Sequence, residues 1–273
     1  MPFVSLECVR LPSYEKDFSI VAHLFCYCDE SGKEHSHNII VFNSLVAGNQ
    51  QWEVVSASWM ELLRRYQLNS FHAKDALRHS QPYGTMKPGT AEQRAEDILP
   101  FARTIVEGIG LGVIGAIDVR AFKLPTLHRL RLNIDDDPHY FAFFLVISLI
   151  MGYWRVPRDY TMGLILDDEE RKSMPVHKLL IRMKKESEEV KQRIPSLCFM
   201  DDSIAPQLQA VDLFTYLSRL EAERIFLDKP HPYAMLVKVF NTPATGRERL
   251  DIIGGYFGEE RLREFMESRT SRK

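Results

Sequence analysis

Two apolar runs near the start of the chain constrain its fold more than any other feature. SIVAHLFCYCD (19–29) and HNIIVFNSLVAG (37–48) are rich in β-branched and aromatic residues, and a short Ser-Gly turn separates them. Such a pair predicts an antiparallel hairpin. Behind it, helix-like and strand-like runs alternate. QQWEVVSASWMELLRRYQL has apolar residues at helical spacing. After FHAKDALRHS and a Pro/Gly-rich loop, Thr90 is placed to cap a helix over AEQRAEDILPFARTIVEGIG, which Gly108 and Gly110 stop. A strand over LGVIGAIDV, a buried helix over 138–156 and a strand over YTMGLILDD follow. A charged helix over 174–193, a short strand at SLCFMDDS and an amphipathic helix over PQLQAVDLFTYLSRLEAERIF complete the order before a helical end with a basic tail. A hairpin followed by strand–helix alternation predicts an α/β fold with a mixed sheet flanked by helices.

The chain's 273 residues, 45% hydrophobic and 26% charged, are ample for one large core. Lys+Arg at 35 against Asp+Glu at 37 leave a net charge of -2, so no global basic excess marks a nucleic-acid binder. A carboxylate-rich metal site would, however, offset a basic groove elsewhere. Four cysteines, Cys8, Cys26, Cys28 and Cys198, are too few and too scattered for a disulfide framework and point to a reducing cytoplasm. The first 19 residues lack the charged start and apolar core of a signal peptide. The longest apolar run, YFAFFLVISLIMGYW, falls short of the roughly 20 residues that span a bilayer. It reads as a core helix, and no membrane partner is expected.

Acids stand where the strands end: Asp29 after the first, Asp167 after LILD, and Asp118 as a third case. Parallel strands of an α/β sheet bring their carboxyl ends to one edge, the edge where ligands bind. Asp212 sits inside the apolar helical run AVDLFTYL, where an unpaired carboxylate is costly unless a cation or donors satisfy it.

Four motifs in succession, CYCDESGK, FHAKD, LILDDEE and MDDSIAPQLQAVDLFTYL, resemble those of the domain-of-unknown-function 3800 family. The resemblance runs from about Asp29 to Leu217, with DESG and QLQAVDL its most specific parts. It implies a ribonuclease H-like, integrase-type fold over 19–223; outside it fall an N-terminal extension over 1–18 and a C-terminal extension over 224–273, the latter read from its residues as helical. It also implies an acidic site drawn from Asp29, His72 or Asp75, Asp167 and Asp212. Ribonuclease H-like enzymes usually carry a further acid on the first long helix, a role left here to Glu53 or Glu61. The strand-borne acid is Asp167 or Asp118.

Several carboxylates converging on paired cations are the donor set for phosphodiester hydrolysis, and Mg²⁺ or Mn²⁺ prefers such hard oxygen ligands. Asp29, Asp167 and Asp212 are the metal ligands so implied, with His72 or Asp75 as an acid/base or outer ligand. Plainer readings stand beside each. Asp29 suits a tight turn before Ser31-Gly32, and Asp167 the start of the next helix. Asp212 could face solvent or pair with Arg219, and Asp168, Glu169 and Glu170 form a solvated acidic turn. His35 and His37 lack the Cys spacing of a zinc site. Basic residues Lys178, Arg182, Lys184, Lys185, Lys191 and Arg193 could track phosphates of DNA or RNA, although a solvated charged helix is the commoner outcome.

The first expectation is therefore a divalent-metal-dependent phosphodiesterase, a nuclease. The second is a non-catalytic nucleic-acid- or protein-binding module on the same fold, and the third a hydrolase of small phosphorylated molecules.

Overall fold

The computed structural model describes residues 23–32, 38–124, 137–153, 155–168, 170–241 and 250–270. The predicted hairpin forms: β1 (His23–Ser31) and β2 (Ile39–Gly48) pair antiparallel, with Asp29 opposite Asn43. Gly32 closes the strand at φ +105, and a Cβ there would lie 2.4 Å from the Ile39 carbonyl oxygen. Only glycine takes that turn without strain.

Four further strands complete a mixed sheet: β3 (Leu111–Asp118), β4 (Thr161–Asp167), β5 (Ser196–Met200) and β6 (Asp251–Phe257). Their order is β5-β4-β1-β2-β3-β6. β2 alone runs against the others, so β1, β3, β4, β5 and β6 share one carboxyl edge.

Alternation along each strand splits the core in two. Tyr27, Val41, Leu45, Ala116 and Ile165 face one layer of helices. That layer is α1 (Asn49–Arg65), α2 (Ala73–Ala76), α3 (Ala91–Gly108), α8 (Pro206–Leu227) and α9 (Ala234–Asn241). Cys26, Cys28, Phe42, Val113 and Leu164 face the other. It is built from α4 (Val119–Phe122), α5 (Pro138–Gly152), α6 (Glu170–Glu186), α7 (Glu188–Arg193) and α10 (Glu259–Thr270). The long apolar run is α5, whose Phe143, Leu145 and Val146 are fully buried against the sheet. Among the described residues no helix is long and apolar enough to cross a membrane. Cys26 and Cys28 are buried free thiols on one face, as alternation requires.

Two expectations are corrected. The stretch 224–273 is not purely helical: it supplies β6, which pairs parallel with β3 from Leu111–Asp251 to Ile117–Phe257. Gly254 and Gly255, at φ +82 and +127, carry this edge strand past β3, where a Cβ on Gly254 would sit 2.2 Å from the Ile114 carbonyl oxygen. The charged helix is also two helices. Ser187 takes an extended backbone and accepts a 3.3 Å hydrogen bond from the Val190 N–H, ending α6 and capping α7.

Candidate acidic site

The carboxyl edge of β1 and β4 brings Asp29 and Asp167 side by side. Parallel pairing runs from His23–Thr161 to Cys28–Leu166, and the next residue on each strand is the aspartate. Both share the parity of Tyr27 and Ile165, so both point to the layer that holds α8. Glu30, adjacent in sequence, faces the opposite layer, with one carboxylate oxygen 3.6 Å from His139 Nδ1. The two neighbouring acids of the first strand therefore point to opposite faces of the sheet.

Asp212 enters from α8. Its Oδ2 accepts a 2.7 Å hydrogen bond from the Ala73 N–H. It is not paired with Arg219, whose guanidinium binds Glu223 one turn further on. Burial is the main reason its carboxyl is pushed up to about 6, with the charges of Asp202 and Asp167 adding and the Ala73 N–H and His72 opposing. The Asp29 carboxyl is raised well above the ordinary range, first by burial and then by the charges of Asp212, Glu30 and Asp167. Asp212 raises Asp29 and Asp167 contributes to both, so the three acids form one electrostatic unit.

The FHAKD segment lies across this unit. Phe71 is buried against Trp59 and Phe101, with ring centroids 5.3 and 4.7 Å away. His72 is exposed; its N–H donates to the Tyr83 hydroxyl at 2.8 Å, and its Nδ1 lies 3.7 Å from Asp75. Asp75 is half-exposed, 3.4 Å from Arg78, and adds no charge to the shifts of Asp29 or Asp212. Buried Arg94 holds the following loop, donating to the carbonyls of Ala76, Gln81 and Lys87 at 2.7, 2.6 and 3.3 Å.

Asp118 and Asp167, the two choices for the strand-borne acid, separate cleanly. Asp118 ends β3, two strands from β1, caps α4 through the Arg120 N–H and receives the Arg120 guanidinium at 3.0 and 2.8 Å. Its charge is engaged there, and Asp167 is the one beside Asp29. Neither acid of α1 joins them. Glu53 accepts from Asn49 at 2.7 Å and Glu61 pairs with Arg64 at 2.7 Å, both on the exposed side of the helix. The basic run packs on the opposite layer, and its cations are largely committed: Arg182 to Glu186, Lys184 to the Pro195 carbonyl, Lys191 to Glu188 and Arg193 to Glu189. Asp168 is exposed, its N–H bonded to the Met200 carbonyl at 2.9 Å. Cys8, His35, His37 and Glu169 lie outside the described residues.

Sequence reasoning passed over two contributors. Asp202, on the turn after β5, adds charge against Asp212; its signal was the doublet in MDDS. Gln209, buried on α8, was a polar residue inside the apolar face of QLQAVDL.

The acids that act on one another electrostatically offer only carboxylate oxygens, which suit a hard divalent cation and no soft one. Among the described residues no group of three or more His, Cys, Asp or Glu side chains is arranged to hold a metal ion. Agreement with Mg²⁺ or Mn²⁺ is thus one of donor chemistry, and enclosing the ion would require side-chain rotation or waters. A comparison with protein-family models finds no match to this chain, and no curated protein matches it.

Proposed function

We propose that the protein is a divalent-metal-dependent phosphodiesterase, a nuclease acting on DNA or RNA, on a ribonuclease H-like fold of the kind found in the domain-of-unknown-function 3800 family. The observation that carries this reading is the convergence of Asp29, Asp167 and Asp212 from two strand ends and a helix into a mutually repelling, half-buried cluster. Such an arrangement is costly in the metal-free protein and is relieved by a cation. The antiparallel β1-β2-β3 meander, with β4 and β5 running parallel to β1, supports the fold assignment.

Asp29, Asp167 and Asp212 would hold Mg²⁺ or Mn²⁺, which when bound supplies an activated water and neutralises charge developing at phosphorus. Ala73 keeps Asp212 oriented through its N–H. His72, exposed at the rim beside Asp75, is set to carry a proton to a leaving oxygen.

Titration of Mn²⁺ into metal-free protein tests this, with Asp29→Asn and Asp212→Asn in parallel. Saturable binding lost in both folded variants, followed by Mn²⁺-dependent cleavage of single- or double-stranded nucleic acid, is the expected result. Absence of saturable binding in the wild type overturns it. One observation favours the second reading, a non-catalytic binding module: Glu53 and Glu61 point away, so α1 adds no acid to the cluster. That module would bind nucleic acid in EDTA and cleave none under any metal. Turnover of nucleotides but not polymers would select a small-phosphate hydrolase instead.

A further inference from the structure

We infer that Gln209 is the positioning residue of the acidic site, whose side-chain amide holds the His72–Ala73 loop against Asp212. The clamp stands on geometry alone; its consequence for cation binding rests on the proposed function.

Gln209 is 2% exposed, deep among the apolar side chains of the α1–α3–α8 layer. Its Oε1 accepts two hydrogen bonds, from Trp59 Nε1–H at 3.1 Å and from the Phe71 N–H at 3.0 Å. Its Nε2 donates to the carbonyls of Asp202 at 2.9 Å and Ser203 at 3.4 Å. Two donors face the oxygen and two acceptors face the nitrogen, so the amide orientation is determined: a flip would set like against like at all four. One side chain thereby joins α1, the segment entering α2 and the turn leaving β5, which are distant in sequence.

Two of the four ties lead to the cluster. Two residues after Phe71, the Ala73 N–H makes its 2.7 Å bond to Asp212. Asp202, to whose carbonyl Gln209 Nε2 donates, carries a charge that acts on Asp212. Gln209 and Asp212 are three residues apart on α8 and share a helix face. A side chain needed only to fill the space would be apolar, because a buried amide is costly unless every group is satisfied. Here every group is satisfied, and the partners are the segments that set the loop.

Gln209→Met keeps the length of the side chain and removes all four bonds. The readouts are hydrogen exchange at the Ala73 amide in metal-free protein, with Leu45 of the central strand as reference, and Mn²⁺ affinity. Leu208→Ala, one residue away on α8 and equally buried, is the control for general destabilisation. We expect Ala73 exchange in Gln209→Met to rise by about tenfold beyond any rise at Leu45, the scale of a lost buried hydrogen bond. Mn²⁺ affinity should fall by about tenfold or more, whereas Leu208→Ala should raise both amides together and leave affinity unchanged. Parallel rises at Ala73 and Leu45 in Gln209→Met, or a freed Ala73 with unchanged Mn²⁺ affinity, overturn the positioning role. Should Gln209→Met fail to fold, the wild type decides: Phe71 and Ala73 amides exchanging at unprotected rates overturn the clamp, and slow exchange at both supports it. Wild-type protein that binds no Mn²⁺ refutes the metal reading alone, and Ala73 exchange still judges the clamp.

Discussion

Replacing Asp212 by Asn should stabilise the metal-free protein at neutral pH, and Mn²⁺ should offset most or all of that advantage by stabilising the wild type. The Asp212 carboxyl goes from an ordinary 3.8 to about 6 in the folded chain, chiefly through burial. At about 1.36 kcal/mol per pH unit, its ionised form costs about 3 kcal/mol above pH 6. Solvent reaching this half-buried site reduces the gain from neutralising it to about 1–3 kcal/mol. Asparagine keeps an oxygen for the Ala73 N–H, so the 2.7 Å bond survives the substitution. The sign follows from linkage. The folded state binds the Asp212 proton more tightly than the unfolded chain, so wild-type stability falls as pH rises from about 4 to about 6. Above that window the full cost is present, and below it there is none. Urea unfolding in EDTA at pH 7.5, 6, 5 and 4 measures this. The Asn variant should be more stable at pH 7.5, with the difference shrinking through the window and vanishing near pH 4. Mn²⁺ at about 100 times its dissociation constant should then add about 2.7 kcal/mol to the wild type and little to the variant. A variant less stable than wild type in EDTA at pH 7.5, or a difference independent of pH, would refute the account of the cluster as a strained carboxylate group.

Asp118→Asn should leave Mn²⁺ affinity intact and cost about 0.5–2 kcal/mol in urea unfolding through its weakened pairing with Arg120 and cap of α4, whereas Asp167→Asn should abolish binding. Glu53→Gln and Glu61→Gln, both on the solvent side of α1, should change neither Mn²⁺ binding by calorimetry nor stability by more than about 0.5 kcal/mol. Gly32→Ala forces a left-handed backbone on an L side chain against the Ile39 carbonyl and should cost about 1–3 kcal/mol in thermal or urea unfolding.

Much of the frame was readable from short-range patterns. The hairpin, the Thr90 cap of α3 and the buried α5 each depend on residues close in sequence, where periodicity and capping chemistry act. The pairing of Asp29 with Asp167 was readable one step further, because parallel strands must end on one edge. β6 was not readable. Its two glycines weaken any strand pattern, and it is a strand only because β3 offers an unpaired edge to its backbone. The split at Ser187 was hidden because one capping hydroxyl outweighed an otherwise continuous helical pattern.

For the acids the division has a physical origin. Sequence by itself determined that carboxylates stand at strand ends and that Asp212 interrupts an apolar helix, since chemical type and periodicity are local properties. Only the tertiary structure decided which of them share a site. A carboxylate's role depends on what faces it through space, and those partners lie far along the chain: Arg120 and the Phe226 segment draw Asp118 to one side, while Ala73, 139 residues before Asp212, turns that acid toward Asp29. Gln209 shows the same principle from the other direction, one buried amide whose four bonds exist only once α1, the FHAKD segment and the turn after β5 have met.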